Sequence, residues 1–519
     1  MKYSIVYFMD HSPALGGAAH TLLRQAALMK NAGADVMVVL SDASGKVCEE
    51  YLRICREAAL PAVTRNYKVT NQPEGIDICT VMEGFESVER LLQQKKPDIV
   101  HSVQLNTVVE LVCRELQIPH VMNIYPGIPE FFKLPFADIF PRYHICDSRF
   151  YAEFWHTYAG TDSYCVRTMA PDATYNRKSK DRELFRFICV GEIYKMKNQL
   201  EVIKAFGQAV QEGLCGRLDL WGGMNDSRYW EECMAYIQEN CLNKVICLRG
   251  FTADMEAVYR DSDILICGSR RESYPNAVSE ALAHGVTVLS TPVAGVPEVI
   301  RDRENGYLCE GYEAEHILQK IKVLIRDYET GYIESVMENA DKTYREVHSS
   351  QAVKGQLLKC YKEILKNFAR KNKEMYYSMA DVQEEFGGII RIYQENRNAF
   401  SYPEWVQIYI WKIKYVIDEI CRSRRFRGCL IWGTGKYGGI YKEILDVFAP
   451  DIELTGFIDT YKKGTFMGYP IISPEQISHY KDQAILVGVL NHRQEIMNEL
   501  AGYGYKYNED MFVFDALSW

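Results

Sequence analysis

Two glutamates with seven residues between them, Glu272 and Glu280, are the carboxylates whose spacing and surroundings best suit ligand binding. The apolar run Asp263 to Cys267 predicts a buried parallel strand, and the polar loop that follows it contains Glu272. A helix is expected to begin near Asn276 and to carry Glu280, before the chain returns as a strand at Val286 to Ser290. Because ligands of doubly wound sheets bind beyond the carboxyl ends of the strands, both carboxylates are expected to face one crevice.

The residues around this pair resemble the donor-binding motif of the retaining glycosyltransferases of family four. The match continues through Ala281, Gly285, Gly295, Pro297, Glu298, Glu304, Asn305 and Gly306. The resemblance implies a GT-B fold, in which two Rossmann-like domains face each other and a nucleoside-diphosphate sugar lies in the cleft between them. It implies that Glu280 binds ribose hydroxyls and that Glu272 holds hydroxyls of the donor sugar. Backbone N–H groups near the helix start would meet the phosphates or the sugar, at Tyr274, Asn276 and Ala277.

The first half of the chain alternates strands with helices, which predicts a Rossmann-like domain. Predicted strands cover Tyr3 to Met9, Asp35 to Leu40, Ile99 to Ser102, His120 to Ile124 and Tyr143 to Cys146, and a helix covers Ala18 to Ala32. Gly16 and Gly17 precede this helix, where the family places a glycine pair against the donor diphosphate. Glycine lets the backbone approach an anion, and a helix N-terminus offers N–H groups to it. Simple turn geometry is the alternative explanation of the pair.

Tyr125 stands where family members often carry a histidine on the catalytic side of the cleft. A tyrosine can donate one hydrogen bond to a sugar hydroxyl but cannot carry positive charge. The aromatic and proline-rich segment Pro129 to Phe136 predicts an acceptor-binding lip, a shallow membrane contact or a loop packed against the interdomain hinge. Ser148 matches a serine near the end of the first domain in relatives.

A polar break at Asn176 to Arg182 precedes a second set of strands, predicted at Phe187 to Gly191, Leu218 to Trp221 and Val245 to Leu248. Lys197 matches the lysine of the family's phosphate clamp, whereas Glu192 replaces its arginine. Because preorganised cations stabilise the charge that a departing diphosphate develops, Glu192 would repel the donor unless its side chain points away. Lys195 or Arg270 are the candidates to supply the missing charge.

The helical stretch from about Arg301 to Phe368 is similar to the end of the family's proteins, which commonly stop soon after it, but this chain continues for about 150 residues. The basic segment Asn367 to Lys373 and helices around Asp381 to Arg397 and Trp405 to Cys421 predict a helical connecting region. A strand at Cys429 to Trp432 then leads into a GxGxxG motif that opens a helix, and a further strand ends at an acidic residue 21 positions beyond the motif. The residues concerned are Gly433, Gly435, Gly438 and Asp459.

This arrangement is that of a dinucleotide-binding fingerprint, with Asp459 placed to meet a ribose. The region that follows is short for a dehydrogenase, and it also resembles the small Rossmann-like domains attached to sugar acyltransferases. A nucleotide-fold accessory module, whose ligand would be a dinucleotide or a nucleotide sugar, is therefore favoured over a true NAD site.

Composition limits the class of protein further. The net charge of −9 argues against non-specific binding to nucleic acids. Sixteen cysteines occur without zinc-site or CxxC spacing, which predicts reduced and mostly buried thiols. With neither a signal peptide nor an apolar stretch of membrane-spanning length in the sequence, a cytoplasmic protein is expected, with peripheral contact to the inner face of the membrane as an open alternative.

The sequence thus predicts an α/β protein of four regions: an acceptor-side domain at 1–176, a donor-binding domain at 177–345, a helical connection at 346–427 and an accessory domain at 428–519. The resemblance implies hexosyl transfer with retention of configuration to a glycan, lipid-linked or other acceptor. Glu272, Lys197 and Tyr125 are the expected catalytic residues, and no metal or other cofactor is required. Two alternatives stay open. One is a catalytically weak protein that stabilises a partner transferase or self-associates, and the other is a bifunctional protein whose last domain modifies a sugar.

Overall fold

The computed structural model describes residues 3–10, 16–43, 45–67, 78–103, 106–125, 141–170, 172, 184–252, 254–371, 379–403, 406, 410–422, 426–489 and 492–514. Within these residues the chain forms three α/β sheets in series. The predicted lip at Pro129 to Phe136 and the predicted break at Asn176 to Arg182 lie outside the described residues.

The first sheet has the strand order β3-β2-β1-β4-β5-β6-β7, with every pair parallel. Its strands are β1 (Ser4–Phe8), β2 (Asp35–Ser41), β3 (Ala62–Arg65), β4 (Ile99–Val103), β5 (His120–Asn123), β6 (Tyr143–Cys146) and β7 (Asp162–Cys165). The helices between them are α1 (Gly17–Asn31), α2 (Glu49–Glu57), α3 (Ile78–Lys95), α4 (Thr107–Glu115) and α5 (Arg149–Ala159). The central strands are buried along their whole length, as expected for parallel strands covered on both faces.

The second sheet has the order β10-β9-β8-β11-β12-β13 and is also parallel. Its strands are β8 (Phe185–Val190), β9 (Gly216–Trp221), β10 (Ile246–Gly250), β11 (Ile264–Cys267), β12 (Thr287–Ser290) and β13 (Tyr307–Leu308). Its helices are α6 (Gln199–Gln211), α7 (Ser227–Glu239), α8 (Met255–Arg260), α9 (Asn276–Ala283), α10 (Ala314–Thr330) and α11 (Ile333–Thr343). In both sheets the strand order reverses beside the first strand, which creates a crevice at the carboxyl edge.

A long helix, α12 (Ser350–Lys371), then returns to the first sheet, because its apolar face packs into the core around β1. Helices α13 (Met379–Asn396) and α14 (Ile410–Arg422) follow. The third sheet has the order β16-β17-β15-β14-β18-β19, in which only the β16–β17 pair is antiparallel. Its elements are β14 (Gly428–Trp432), α15 (Lys436–Phe448), β15 (Glu453–Ile458), β16 (Thr465–Phe466), β17 (Tyr469–Ile472), β18 (Gln483–Val487), α16 (Arg493–Gly502) and β19 (Met511–Phe512).

One hydrophobic core joins the first and the third sheets. Buried side chains of α4, α13, α14 and α15 form a single cluster that includes Leu111, Val112, Ile389, Tyr393, Ile413, Ile440 and Tyr441. The connecting helices are therefore a packed layer between two domains. Among the described residues, this cluster packs the last domain against the first one, and we call it the shared core.

The predicted fold class is confirmed: the chain has two Rossmann-like domains and a further C-terminal sheet. The cysteine side chains that the structure describes are free thiols, and most of them are buried, as predicted. Across the described part of the chain, no helix combines the length and the apolar character needed to cross a membrane.

Candidate functional site

The reversal of strand order in the second sheet explains why Lys197 and Glu272 meet. Lys197 lies in the loop after β8, Glu272 lies in the loop after β11, and these two strands flank the reversal. The Lys197 ammonium and the Glu272 carboxylate form an ion pair, with side chains 22% and 15% exposed. Ser269 also donates a hydrogen bond to the same carboxylate oxygen, at 3.3 Å. The structure thus brings these two predicted residues together at the predicted crevice.

Local backbone geometry sets the path of Lys197. Gly191 has φ of +144°, a conformation that residues with a side chain rarely adopt, and the Lys197 alkyl chain passes 3.5 Å from where a Cβ atom of Gly191 would lie. Burial lowers the pKa of Lys197, but the Glu272 carboxylate more than compensates, and the pKa is raised overall. The lysine therefore stays positively charged at neutral pH.

Glu280 lies on α9 and is held from both domains. The Tyr259 hydroxyl donates to its Oε2 atom at 2.9 Å. Arg24, on α1 of the first domain, places Nη1 3.7 Å from its Oε1 atom. The carboxylate is 18% exposed and lines the same cavity as Glu272. A ligand in the cleft can therefore reach Glu280, whose orientation is already fixed by the protein.

The N-termini of α1 and α9 face each other across the cleft. A Cβ atom at Gly17 would lie 3.4 Å from Nδ2 of Asn276, the first residue of α9, while the position of Gly16 is open. Neither first turn contains an acidic residue. Because the first N–H groups of a helix lack intrahelical partners, two sets of donors point into one space. Such a space favours an anion.

The cavity between the domains has a volume of about 370 Å³. Its walls include most of the predicted donor-binding residues and the predicted catalytic Tyr125, from both domains: Gly17, Tyr125, Lys197, Glu272, Tyr274, Asn276, Ala277 and Glu280. Gly16 is exposed directly before α1. The residues predicted from the resemblance therefore converge on one space, which is large enough for part of a nucleotide sugar.

The first domain contributes a phenol and a carboxyl group to this cavity. The Tyr125 hydroxyl is buried and, because of that burial, the pKa of Tyr125 is raised well above its usual value. Asp147, which directly follows β6, is only 5% exposed. Burial raises the pKa of Asp147 to about 7, although a hydrogen bond from Ser273 and the nearby Arg167 guanidinium oppose the shift. Asp147 is a site residue that the sequence analysis missed.

Several hydrogen bonds cross from the first domain to the donor-side loops. The Ser273 hydroxyl donates to Oδ1 of Asp147 and lies 3.1 Å from the Ser148 hydroxyl. Glu298 accepts the N–H groups of Arg149 and Phe150, both at 2.9 Å, and so caps α5 from the opposite domain. The cleft is therefore closed in this structure.

Glu192, which replaces the family's arginine, is exposed and does not line the cavity. Its carboxylate accepts a hydrogen bond from Asn225 at 3.0 Å. The candidate substitutes do not line the cavity either, since Lys195 is exposed and Arg270 donates to Asn198 at 3.0 Å. Lys197 is consequently the ammonium group that lines the cavity within the described residues.

Replacing Glu192 by glutamine is expected to change the dissociation constant of a nucleoside diphosphate by less than about threefold, since an exposed charge is screened by solvent. Isothermal titration calorimetry with a nucleoside diphosphate would measure it. A gain in affinity above about tenfold would contradict the orientation of Glu192 away from the cleft.

The accessory motif is assembled as its sequence predicts. Gly433 directly follows β14 and has φ of +117°, and a Cβ atom at Gly438 would lie 1.9 Å from the carbonyl oxygen of Gly433. These two glycines therefore permit close packing of strand and helix, whereas the position of Gly435 is open. Asp459 accepts hydrogen bonds from the Thr434 hydroxyl and from the N–H groups of Tyr461 and Lys462. Asp459 thus lies beside the motif, where it also stabilises its own loop.

Arg24 and Asp147 escaped the sequence analysis for a common reason. Each side chain acts across the cleft, and its partner lies more than 120 residues away in the chain. A weak signal existed for both. Arg24 lies seven residues after Gly17, on the same face of α1, and Asp147 follows a predicted strand at the carboxyl edge of the sheet.

Two Rossmann-like domains that enclose a cavity with a lysine, two glutamates and two helix N-termini define the GT-B class of fold. The comparison with family models is more specific. Residues 173–343 match the model described as glycosyl transferases group 1, and the chain therefore contains a domain of that family. Residues 426–510 match the model described as C2185-like, N-terminal.

Individual relatives cover different shares of the chain. The poly(glycerol-phosphate) alpha-glucosyltransferase of Bacillus subtilis (strain 168) is 26% identical over 166 residues, which are 31% of this chain and 24% of that protein. An Escherichia coli protein, UDP-Gal:alpha-D-GlcNAc-diphosphoundecaprenol alpha-1,3-galactosyltransferase, is 22% identical over 334 residues, or 57% of this chain and 82% of that one. The chain therefore spans about a quarter of the length of the Bacillus relative.

Among solved structures, Anabaena Alr3699/HepE in complex with UDP aligns with a TM-score of 0.56 at 18% identity, covering 70% of this chain and all of that one. This likeness supports the fold.

Within the described residues, no group of three or more His, Cys, Asp and Glu side chains is arranged to hold a metal ion.

Proposed function

We propose that this protein transfers a sugar from a nucleoside-diphosphate sugar to a hydroxyl group of a glycan or lipid-linked acceptor, with retention of anomeric configuration. The observation that carries the proposal is the arrangement of Lys197, Glu272 and Glu280 around one interdomain cavity that two helix N-termini face. The glycosyl transferases group 1 domain contains all three residues and supports the assignment.

The diphosphate, the ribose and the sugar of the donor each have a matching group in the cleft. The diphosphate lies between Lys197 and the N-termini of α1 and α9, where positive charge and free N–H groups are available. The ribose diol donates to the Glu280 carboxylate, and hydroxyls of the donor sugar bind Glu272. Because HepE, which shares the fold, was crystallised in complex with UDP, UDP is the first nucleotide to test.

Transfer in this proposal involves no covalent intermediate with the protein. The bond between the anomeric carbon and the phosphate oxygen breaks, and a bond from the acceptor oxygen forms on the same face of the sugar. The acceptor proton moves to the departing phosphate oxygen. The protein positions the reactants and stabilises the charge on the diphosphate, which is the part played by Lys197. No metal is needed for these steps.

The acceptor binds on the first-domain side of the cleft, near Tyr125 and Asp147. A lipid-linked acceptor is supported by the E. coli relative, whose name specifies a diphosphoundecaprenol-linked sugar. We accordingly place the protein in the cytoplasm, at the inner face of the membrane when its acceptor is lipid-linked.

For the last domain we propose a nucleotide-fold accessory role. The support is the GxGxxG turn of Gly433, Gly435 and Gly438, where Gly435 leaves open space in front of a helix N-terminus, with Asp459 beside it. Its ligand would be a dinucleotide or a nucleotide sugar.

The first experiment is a thermal-shift panel with UDP, GDP, ADP, CMP and NAD, followed by an assay of diphosphate release from the matching nucleotide sugar. A ligand present at a hundred times its dissociation constant stabilises the folded state by about 2.7 kcal/mol, which raises the melting temperature by several degrees in a domain of this size. We expect a shift with one nucleoside diphosphate and release of that diphosphate in the assay.

The other outcomes separate the alternatives. Binding without turnover would favour a partner that stabilises an active transferase. A shift with NAD alone would direct attention to the last domain. No shift with any diphosphate would contradict the proposed function. When turnover is found, the anomeric proton couplings of the first product decide whether configuration is retained.

A further inference from the structure

Three consecutive residues of the loop after β11 are anchored in three different directions. Glu272 pairs with Lys197 of its own domain. The Tyr274 hydroxyl lies 2.9 Å from Nε2 of His348, in the segment that leads back to the first domain. Ser273, between them, bonds to Asp147 of the first domain. The contact made by Ser273 is therefore one of those that fix the position of this loop relative to the first domain.

The hydrogen bonds at Ser273 form a chain with one consistent direction. The N–H group of Tyr151 donates to the Ser148 hydroxyl oxygen, which leaves the Ser148 proton free to donate to Ser273 at 3.1 Å. Ser273 in turn donates to Oδ1 of Asp147. Asp147 is the terminal acceptor, and its other oxygen lies 3.5 Å from the Thr168 hydroxyl.

This junction between the domains is tightly packed. A Cβ atom at Gly295 would lie 2.5 Å from Cβ of Ser148 and 2.8 Å from the carbonyl oxygen of Ser273. Gly295 also donates its own N–H group to that carbonyl oxygen at 2.9 Å. Because Gly295 has no side chain, the loops come into direct contact, and both Ser273 and Asp147 are buried at this junction.

We infer that Asp147 is a positioning residue of the donor site: through Ser273 it holds the loop that carries Glu272 and Tyr274 against the first domain and so keeps the cleft closed over the donor. The expected effects on donor binding and kinetics rest on the proposed function. The expected opening of the cleft does not. Asp147 acts through Ser273, and the chemistry of transfer is left to the residues described above.

Asp147 is surrounded by groups that keep its hydrogen-bond pattern in place. The Arg167 guanidinium donates to the main-chain oxygen of Asp147 at 2.8 Å and also pairs with Glu298 at 2.5 Å. Burial and the nearby Glu272 carboxylate raise the pKa of Asp147, as described above. An asparagine at position 147 would keep an oxygen acceptor for Ser273, whereas an alanine would remove it.

The test uses four full-length variants: Asp147→Ala, Ser273→Ala, the double variant and Asp147→Asn. Two measurements are made on each. Small-angle X-ray scattering without ligand reports whether the cleft is open, and calorimetry with UDP, followed by donor kinetics, reports donor binding. We expect a larger radius of gyration for each alanine variant. We also expect an increase in the UDP dissociation constant and in the donor KM of about tenfold, the size of effect that follows from losing a hydrogen bond to a carboxylate.

Two controls separate positioning from a general loss of stability. The double variant is expected to be no weaker than either single alanine variant, because the two side chains act through one contact. Asp147→Asn is expected to restore both the compact scattering profile and most of the donor affinity. Additive losses, or an unchanged profile and affinity in Asp147→Ala, would overturn the inference.

Scattering tests the positioning role of Asp147, whereas the transfer assay tests the proposed reaction, so either one can be contradicted without the other. An open cleft in Asp147→Ala, together with no turnover in the unchanged protein, would keep the positioning role and contradict the proposed reaction. Normal turnover together with a closed cleft in every variant would support the proposed reaction and contradict the positioning role.

Discussion

Replacing Lys197 by methionine is expected to reduce sugar transfer by about 10²- to 10³-fold, the usual effect of removing one group that stabilises developing negative charge. Methionine keeps most of the alkyl chain that passes Gly191, so packing is largely retained while the charge is lost. The variant also leaves Glu272 without its ionic partner in a poorly solvated position. Repulsion between that carboxylate and the diphosphate adds to the effect. The measurement is kcat and KM for the donor that the nucleotide panel identifies.

Lys195→Met is the matched control, because Lys195 belongs to the same short 3-10 turn but is exposed. This variant is expected to retain activity within about twofold, as is usual for surface substitutions. Equal activity in the two methionine variants would show that Lys197 does not contact the diphosphate.

Replacing Glu280 by alanine is expected to weaken UDP binding by about 10- to 100-fold, because hydrogen bonds from a ribose diol to a carboxylate are lost. In the thermal-shift panel the stabilisation by UDP should disappear at concentrations that stabilise the unchanged protein. Part of the loss is indirect, since Tyr259 and Arg24 both contact this carboxylate. The melting temperature without ligand should therefore fall as well.

Two further variants test whether the loss of UDP binding comes from the Glu280 carboxylate itself. Glu280→Gln keeps an oxygen acceptor for Tyr259, so we expect a native melting temperature with intermediate UDP affinity. Glu304→Ala removes an exposed carboxylate of the same domain and should leave binding unchanged. If Glu280→Ala binds UDP as tightly as the unchanged protein, Glu280 does not bind the ribose, and the ribose site must lie in another part of the cleft.

The sequence was informative where a residue with a functional side chain comes soon after a strand. Lys197 and Glu272 each follow a strand that is largely apolar, and the doubly wound topology then places their loops side by side. The ion pair between them follows from this topology. The positions of Gly433 and Gly438 could be predicted equally well, because a strand, a tight turn and a helix in succession leave the backbone little conformational freedom.

The sequence was least informative about contacts between domains and about short elements. The bond from Ser273 to Asp147 and the approach of Arg24 to Glu280 depend on how two domains meet, which no local pattern encodes. The orientation of Glu192 depends on Asn225, in the loop after β9. Strands as short as Tyr307–Leu308 contain too few residues for a period of two to be recognised.

The shared core has a mechanical consequence. The first sheet, α12, the connecting helices and the third sheet form one continuous body, whereas the donor-binding sheet forms another. Strands β1 to β7 belong to the first body, strands β8 to β13 belong to the second, and α12 belongs to the first again. A rotation that opens the cleft therefore carries the third sheet along with the first one. A probe attached to the third sheet keeps a fixed distance from the first sheet, and its distance to the second sheet reports the opening of the cleft.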